Sequence, residues 1–189
     1  MKIVDLSQPL YDGMDVYPGD PEVNIKQIHS LDKEGWNLRY LQFSSHAGTH
    51  SDAFSHMDEN GRTIDDIPIE RFIGKTVVVK TGGKFPTGVG LAFSEGKMDL
   101  NLFEKIKGSG PLFVIVGKTA ELSVELERKL LQSGILTITD LVNMEELPTD
   151  ESFMFYGVPL KIKDGDGSPV RFWYPAQGNT NYLWLQSKN

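Results

Sequence analysis

The run from Pro111 to Ile138 constrains the fold more than any other part of this chain. Pro111 to Val116 (PLFVIV) and Ile135 to Ile138 (ILTI) are short β-branched runs, the composition of strands covered on both faces. Between them lies SVELERKLL, Ser123 to Leu131. Ser123 is a good N-cap, Glu125 and Glu127 fill the first turn, Arg128 and Lys129 follow, and Gly134 ends the run. Strand, helix, strand is one βαβ unit, and it predicts a mixed α/β fold built on a mixed sheet.

Other segments fit around that unit. Thr76 to Lys80 (TVVVK) reads as another covered strand, and Phe153 to Ile162 supplies a further one. Leu38 to Ser44 (LRYLQFS) alternates well enough for a strand that delivers His46 at its end. The opening DLSQPLYDGMDVYPGDPEV is rich in turn residues, so an extended ligand-lining segment and a strand are both open there. No repeat, linker or break in composition interrupts the 189 residues, and the expectation is one domain over residues 1–189.

Composition excludes several functions. A net charge of −7 argues against a nucleic-acid surface, because phosphate binding wants clustered Lys and Arg. With no cysteine, disulfides and thiolate metal sites are excluded, and any metal must use His, Asp, Glu or water. The start, MKIVDLSQPLYDG, lacks an apolar core of signal-peptide length, and no run approaches a membrane span, so a cytoplasmic location is expected. Two tempting motifs fail. Asp164-Gly165-Asp166-Gly167 lacks the remaining ligands of a calcium loop and reads as a turn. Gly117-Lys118-Thr119 has Leu112 where a phosphate-binding loop needs its first glycine.

The chemistry concentrates in SSHAGTHSDAFSHM, Ser44 to Met57, which holds three of the four histidines. His46, His50, Asp52 and His56 are spaced by four, two and four. A histidine pair at that first spacing can meet one ion from a helical turn, and Asp52 adds a hard oxygen. Three protein donors with an open position is the arrangement of catalytic metal sites, where the ion activates water. The bland alternative is a polar surface loop in which histidines fall together. Three of them with an aspartate in eleven residues, when only His29 lies elsewhere, favour metal.

In these residues and their spacing the chain resembles the cyclase-like metal-dependent hydrolases, whose best-known activity is kynurenine formamidase (arylformamidase) of tryptophan catabolism. The resemblance rests on H-x-G-T-H-x-D-x-x-x-H from His46 to His56, on Asp5-Leu6-Ser7-Gln8-Pro9-Leu10 and on Tyr17-Pro18-Gly19-Asp20-Pro21. It extends to Pro159-Leu160-Lys161-Ile162 and Gly165-Asp166-Gly167-Ser168-Pro169-Val170-Arg171. It implies a swivelling β/β/α fold, a homodimer or homotetramer, and one or two divalent ions, zinc first and manganese as the alternative. His46, His50 and Asp52 would bind metal, His56 would transfer a proton near the substrate, and Tyr17 would line the pocket. The implied reaction is hydrolysis of a small amide or cyclic amide, with N-formylkynurenine to kynurenine plus formate as reference.

The chain also departs from the family. Phe54 stands where the motif usually has proline, at a position expected to shape the substrate pocket. The family's second metal takes a histidine from a helix and a glutamate from the next strand; here those positions hold Glu127 and Thr139. At about 100° per residue, Val124, Leu126, Leu130 and Leu131 form an apolar arc that includes Glu127. A carboxylate there is costly unless paired or bound to metal. Either Glu127 serves as a second-site ligand or hydrogen-bonds His56, or it sits at the helix edge and reaches water or a basic neighbour. Asp140, one residue past Thr139 on a strand, should face the other way and ranks below Glu127 as a replacement ligand. Asp166 and Arg171 read as structural, and Trp173, Tyr174, Tyr182 and Trp184 as packing or a subunit contact. The alternative function is a non-catalytic metal- or ligand-binding protein that lost the second metal site.

Overall fold

The computed structural model describes residues 2–149 and 151–176. The elements in chain order are β1 (Lys2–Asp5), β2 (Asn24–His29), α1 (Leu31–Glu34), β3 (Leu38–Gln42) and β4 (His50–Asp52). They continue with β5 (Ile73–Val78), β6 (Gly90–Met98), α2 (Phe103–Ser109), β7 (Phe113–Leu122), α3 (Val124–Gln132) and β8 (Leu136–Leu141). The last three are β9 (Phe153–Tyr156), β10 (Gly167–Pro169) and β11 (Trp173–Ala176). Nine strands form one mixed sheet in the order β1-β11-β9-β5-β6-β7-β8-β4-β10. Its centre, β5 through β8, is parallel, and antiparallel strands extend it on both sides. The sheet curls: just past β1, the Leu6 carbonyl accepts a hydrogen bond from the Val142 N–H, just past β8.

The expected βαβ unit is present. Val114 pairs with Thr137 in the parallel β7–β8 ladder. The Ser123 hydroxyl caps α3 by accepting from the Leu126 N–H, and Gly134 takes φ +76° beyond its end. Side chains of β7 alternate between two cores, Phe113 and Ile115 on one face, Val114 and Val116 on the other. Leu126 and Leu130 of α3 and Ile106 of α2 close the second face. A strand apolar at every position is what two covered faces require. Gly117, Lys118 and Thr119 lie inside β7, so no phosphate-binding loop exists there.

One expectation is met in type and two are corrected. Leu38–Gln42 forms the expected strand, two residues shorter; it pairs with β2 in a separate two-stranded ribbon and is exposed along its whole length. Its alternation therefore marks no buried face. The strand expected over residues 153–162 stops at Tyr156, and only an isolated bridge, Pro159 to Val170, follows. Val124 stands exposed at the start of α3, outside the apolar stripe. Among the described residues no helix is long and apolar enough to cross a membrane.

Candidate metal and proton-transfer site

The site grows from the β8–β4–β10 flank of the sheet. His50 and Asp52 are alternate residues of β4, so both point to one face while Ser51 points to the other. The β4 ladder sets His50 opposite Thr139 and Asp52 opposite Thr137 of β8. His46 does not share a helical turn with His50, contrary to the spacing argument. Residues 45–49 are turn and bend, with Gly48 at φ +62°. A side chain there would be strained, and its Cβ would lie 2.8 Å from Leu10 Cδ2. The hinge glycine of the motif thus folds His46 back over β4. A 3-10 turn over Phe54–His56 does the same for His56, whose ring centroid lies 4.1 Å from that of His46.

Three donor atoms converge. His46 Nδ1 lies 2.8 Å and His50 Nε2 3.4 Å from Asp52 Oδ1, and ligand atoms of the three residues fall within 4.8 Å of one another. The other nitrogen of His50 donates to the Gly48 carbonyl at 2.7 Å, which leaves the Nε2 lone pair turned toward the cluster. Thr139 Oγ1 meets that same Nε2 at 3.1 Å. The donor set of two imidazoles and one carboxylate suits a divalent ion of the zinc or manganese kind, with thiolate-preferring ions disfavoured.

Electrostatics follow from burial. Asp52 is 1% exposed, and although burial alone opposes its charge, the two imidazoles hold it far below the usual carboxylate range. Burial would lower the His46 pKa, but the hydrogen bond and charge of Asp52, then those of Asp166, outweigh it and raise the pKa to about 9. Glu127 turns inward from α3 rather than out to water. Its Oε1 is 3.1 Å from Thr137 Oγ1, which is also 2.9 Å from Asp52 Oδ2. One hydroxyl proton serves only one of these carboxylates. Burial first, and then the Asp52 charge, push the Glu127 pKa up to about 8. Both contacts place the Thr137 hydroxyl as donor, and a neutral Glu127 would resolve the competition by donating back to Thr137 Oγ1 while the hydroxyl serves ionised Asp52. Glu127 therefore adjoins Asp52 through Thr137 and makes no hydrogen bond to His56 among the described residues.

Other expected residues fall differently. Phe54 is 5% exposed in the core, with the Arg71 and Arg62 guanidiniums 5.6 and 5.9 Å from its ring. It packs within the main hydrophobic core. Tyr17 is 69% exposed on its turn, with no hydrogen bond or ring contact to the cluster among the described residues. Asp140 sits at φ +62°, and its carbonyl accepts from Thr49 and Gln8 side chains. Arg171 pairs with Asp5 at 2.7 Å, a structural role as expected. Tyr174 is core and Trp173 stacks on Tyr156 at 4.5 Å, whereas Tyr182 and Trp184 lie outside the described residues. Asp166 is the surprise. Its Oδ2 is 2.9 Å from His46 Nε2 and 3.6 Å from His56 Nδ1, and its Oδ1 accepts from Ser45 Oγ at 2.7 Å. The hydrogen bonds of His46 and Ser45 outweigh burial and hold the Asp166 pKa at about 2. A sequence signal existed: the acid lies in the Asp-Gly-Asp-Gly turn dismissed as a calcium loop, and turn residues leading into a strand often carry function.

Known proteins resemble this chain in sequence and fold. A family model described as putative cyclase matches residues 4–97. The kynurenine formamidase of Salinibacter ruber is 24% identical over 204 residues, covering 90% of this chain and 96% of that protein. The kynurenine formamidase of Bacillus anthracis is 27% identical over 208 residues, covering 90% and 95%. Among solved structures, isatin hydrolase A from Ralstonia solanacearum superimposes with a TM-score of 0.76 at 20% identity, over 92% of this chain and 91% of that one. At that identity the likeness carries the fold. Family model, full-length relatives and shared fold agree, and the chain belongs to the cyclase-like family in which the kynurenine formamidases fall.

Proposed function

We propose that this chain is a metal-dependent amidohydrolase that cleaves the carbon–nitrogen bond of a small formyl amide or cyclic amide. The observation that carries it is the convergence of His46, His50 and Asp52 donors beside a half-exposed histidine, His56. The family relatives, kynurenine formamidases by name, and the isatin hydrolases of the same fold support an amide or lactam substrate.

His46, His50 and Asp52 would hold the ion, zinc first and manganese second. When bound, such an ion polarises the substrate carbonyl and activates water for attack. Asp52 adds negative charge and is too deeply buried to trade protons with solvent. His56 is 28% exposed at the mouth of the cluster and suits proton delivery to the departing nitrogen. Water adds across the amide bond to give a carboxylate and an amine.

The test is metal analysis of purified protein together with hydrolysis of N-formylkynurenine, formanilides and isatin. Expected are at least one ion per chain and turnover of one of these substrates. His46→Ala should remove both, while His56→Gln keeps the ion and lowers kcat by about 10²–10⁴. A metal-replete protein inert toward every amide and ester tried would establish the non-catalytic binding protein instead.

A further inference from the structure

We propose that Asp166 is the positioning residue of the site: it holds the His46 imidazole with Nδ1 facing Asp52 and His50. The inference rests on the metal-site reading above.

The two ligand imidazoles pose the same problem. Each has two ring nitrogens, and a ligand nitrogen must be free of its proton, so the other must be held by an acceptor. For His50 the acceptor is the Gly48 carbonyl at 2.7 Å. For His46 the equivalent nitrogen is Nε2, and its partner is Asp166 Oδ2 at 2.9 Å. A carboxylate is the stronger acceptor and raises the basicity of the ligand nitrogen opposite.

Asp166 is itself held. Its carbonyl accepts from the Ala53 N–H at 2.8 Å, one residue past Asp52, so its backbone is fixed to the end of β4. Ser45 Oγ pins Oδ1 and leaves Oδ2 for the histidines. The next residue, Gly167, packs against His46 so closely that a Cβ would lie 2.7 Å from its Cε1. Ring and carboxylate therefore have one mutual placement. His56 Nδ1, 3.6 Å from the same Oδ2, completes a line from ligand histidine through Asp166 to the proton-transfer histidine.

The experiment uses the full chain. Zinc affinity is measured by competition with a chromophoric chelator, and the His46 tautomer by long-range proton–nitrogen correlation on zinc-loaded protein. Asp166→Ala is expected to bind one zinc about 10–100-fold more weakly. Asp166→Glu should recover part of the loss, and Ser45→Ala should shift affinity only a few-fold. The wild-type His46 proton should sit on Nε2. If Asp166→Ala melts early, Asp166→Asn and Ser45→Ala carry the same comparison. Unchanged zinc affinity in a folded Asp166→Ala overturns this inference alone. So does a His46 proton on Nδ1 with the zinc lost, since Asp166 would then be a ligand. Wild-type protein that binds neither zinc nor manganese overturns the metal reading, and this inference falls with it.

Discussion

The two sides of the His46 ring are built on opposite plans. On the Nδ1 side stand Asp52, Thr137 and Glu127, strand and helix residues sealed in the sheet, with Asp52 1% exposed. On the Nε2 side stand Asp166, Ser45 and His56 from loops and a short turn, with the Asp166 side chain 49% exposed. Charge on the sealed side is strongly coupled to its neighbours, because little water screens it. Charge on the open side is screened and can exchange protons with solvent. The first arrangement suits holding an ion, and the second suits moving a proton.

Removing charge from the sealed side should therefore do the most damage. Asp52→Ala takes away the carboxylate shared by His46 and His50 and leaves Glu127 and Thr137 facing a hole. Loss of all bound metal is expected, together with about 3–5 kcal/mol of stability in the metal-free protein. Chelator-treated samples in a denaturant titration measure the second effect apart from the first. If metal-free Asp52→Ala were as stable as wild type, the buried side would not be the coupled unit described here.

A smaller change on the same side is Thr137→Val, which keeps shape and deletes the hydroxyl between the two carboxylates. The expected cost is about 1–3 kcal/mol with metal stoichiometry intact. Replacing Glu127 with Gln in that background should change stability little at neutral pH, since Gln imitates the neutral acid inferred for Glu127.

How much of this was readable beforehand divides along the same line. Periodicity marked β7, α3 and β8, because a twice-covered strand and a capped amphipathic helix print their environment on the sequence. It also marked Glu127 as a carboxylate on a helix face that ought to be buried. Histidine spacing marked His46, His50 and Asp52, although the carrier proved to be a turn into a strand. Residues joined to the site by tertiary contact left no print of their partners, even where, as at Asp166, the turn that carries them was visible. Thr137 and Asp166 lie 85 and 120 residues from their partners Asp52 and His46, and no local pattern links them. The alternation of β3 misled as a sign of burial because every residue of that strand is exposed, and only Ile25 of its partner β2 packs against a small cluster of Met14, Val23 and Ala47.

The subtlest way to sharpen the contrast is pH. Glu127 and His46 bind protons more tightly folded than unfolded, with pKa values raised to about 8 and about 9. Their contributions to metal-free stability are therefore complete at low pH, below the ordinary Glu value for one and the ordinary His value for the other. They are lost as pH climbs through 8 and 9. Asp166, held at about 2, behaves oppositely, its contribution present above the ordinary Asp value and lost only as pH falls through 2. Between pH 5 and 9 the sealed side thus loses stability with rising pH while Asp166 contributes a constant amount. A bound ion reverses the trend at His46, because ligation requires the ring to give up a proton. Melting curves with and without chelator should accordingly diverge as pH rises, and Glu127→Gln should flatten the chelated curve. A gap that stayed constant from pH 5 to 9 would mean that His46 is not protonated in the metal-free protein. Its two flanking carboxylates would then not be the coupled pair that the geometry describes.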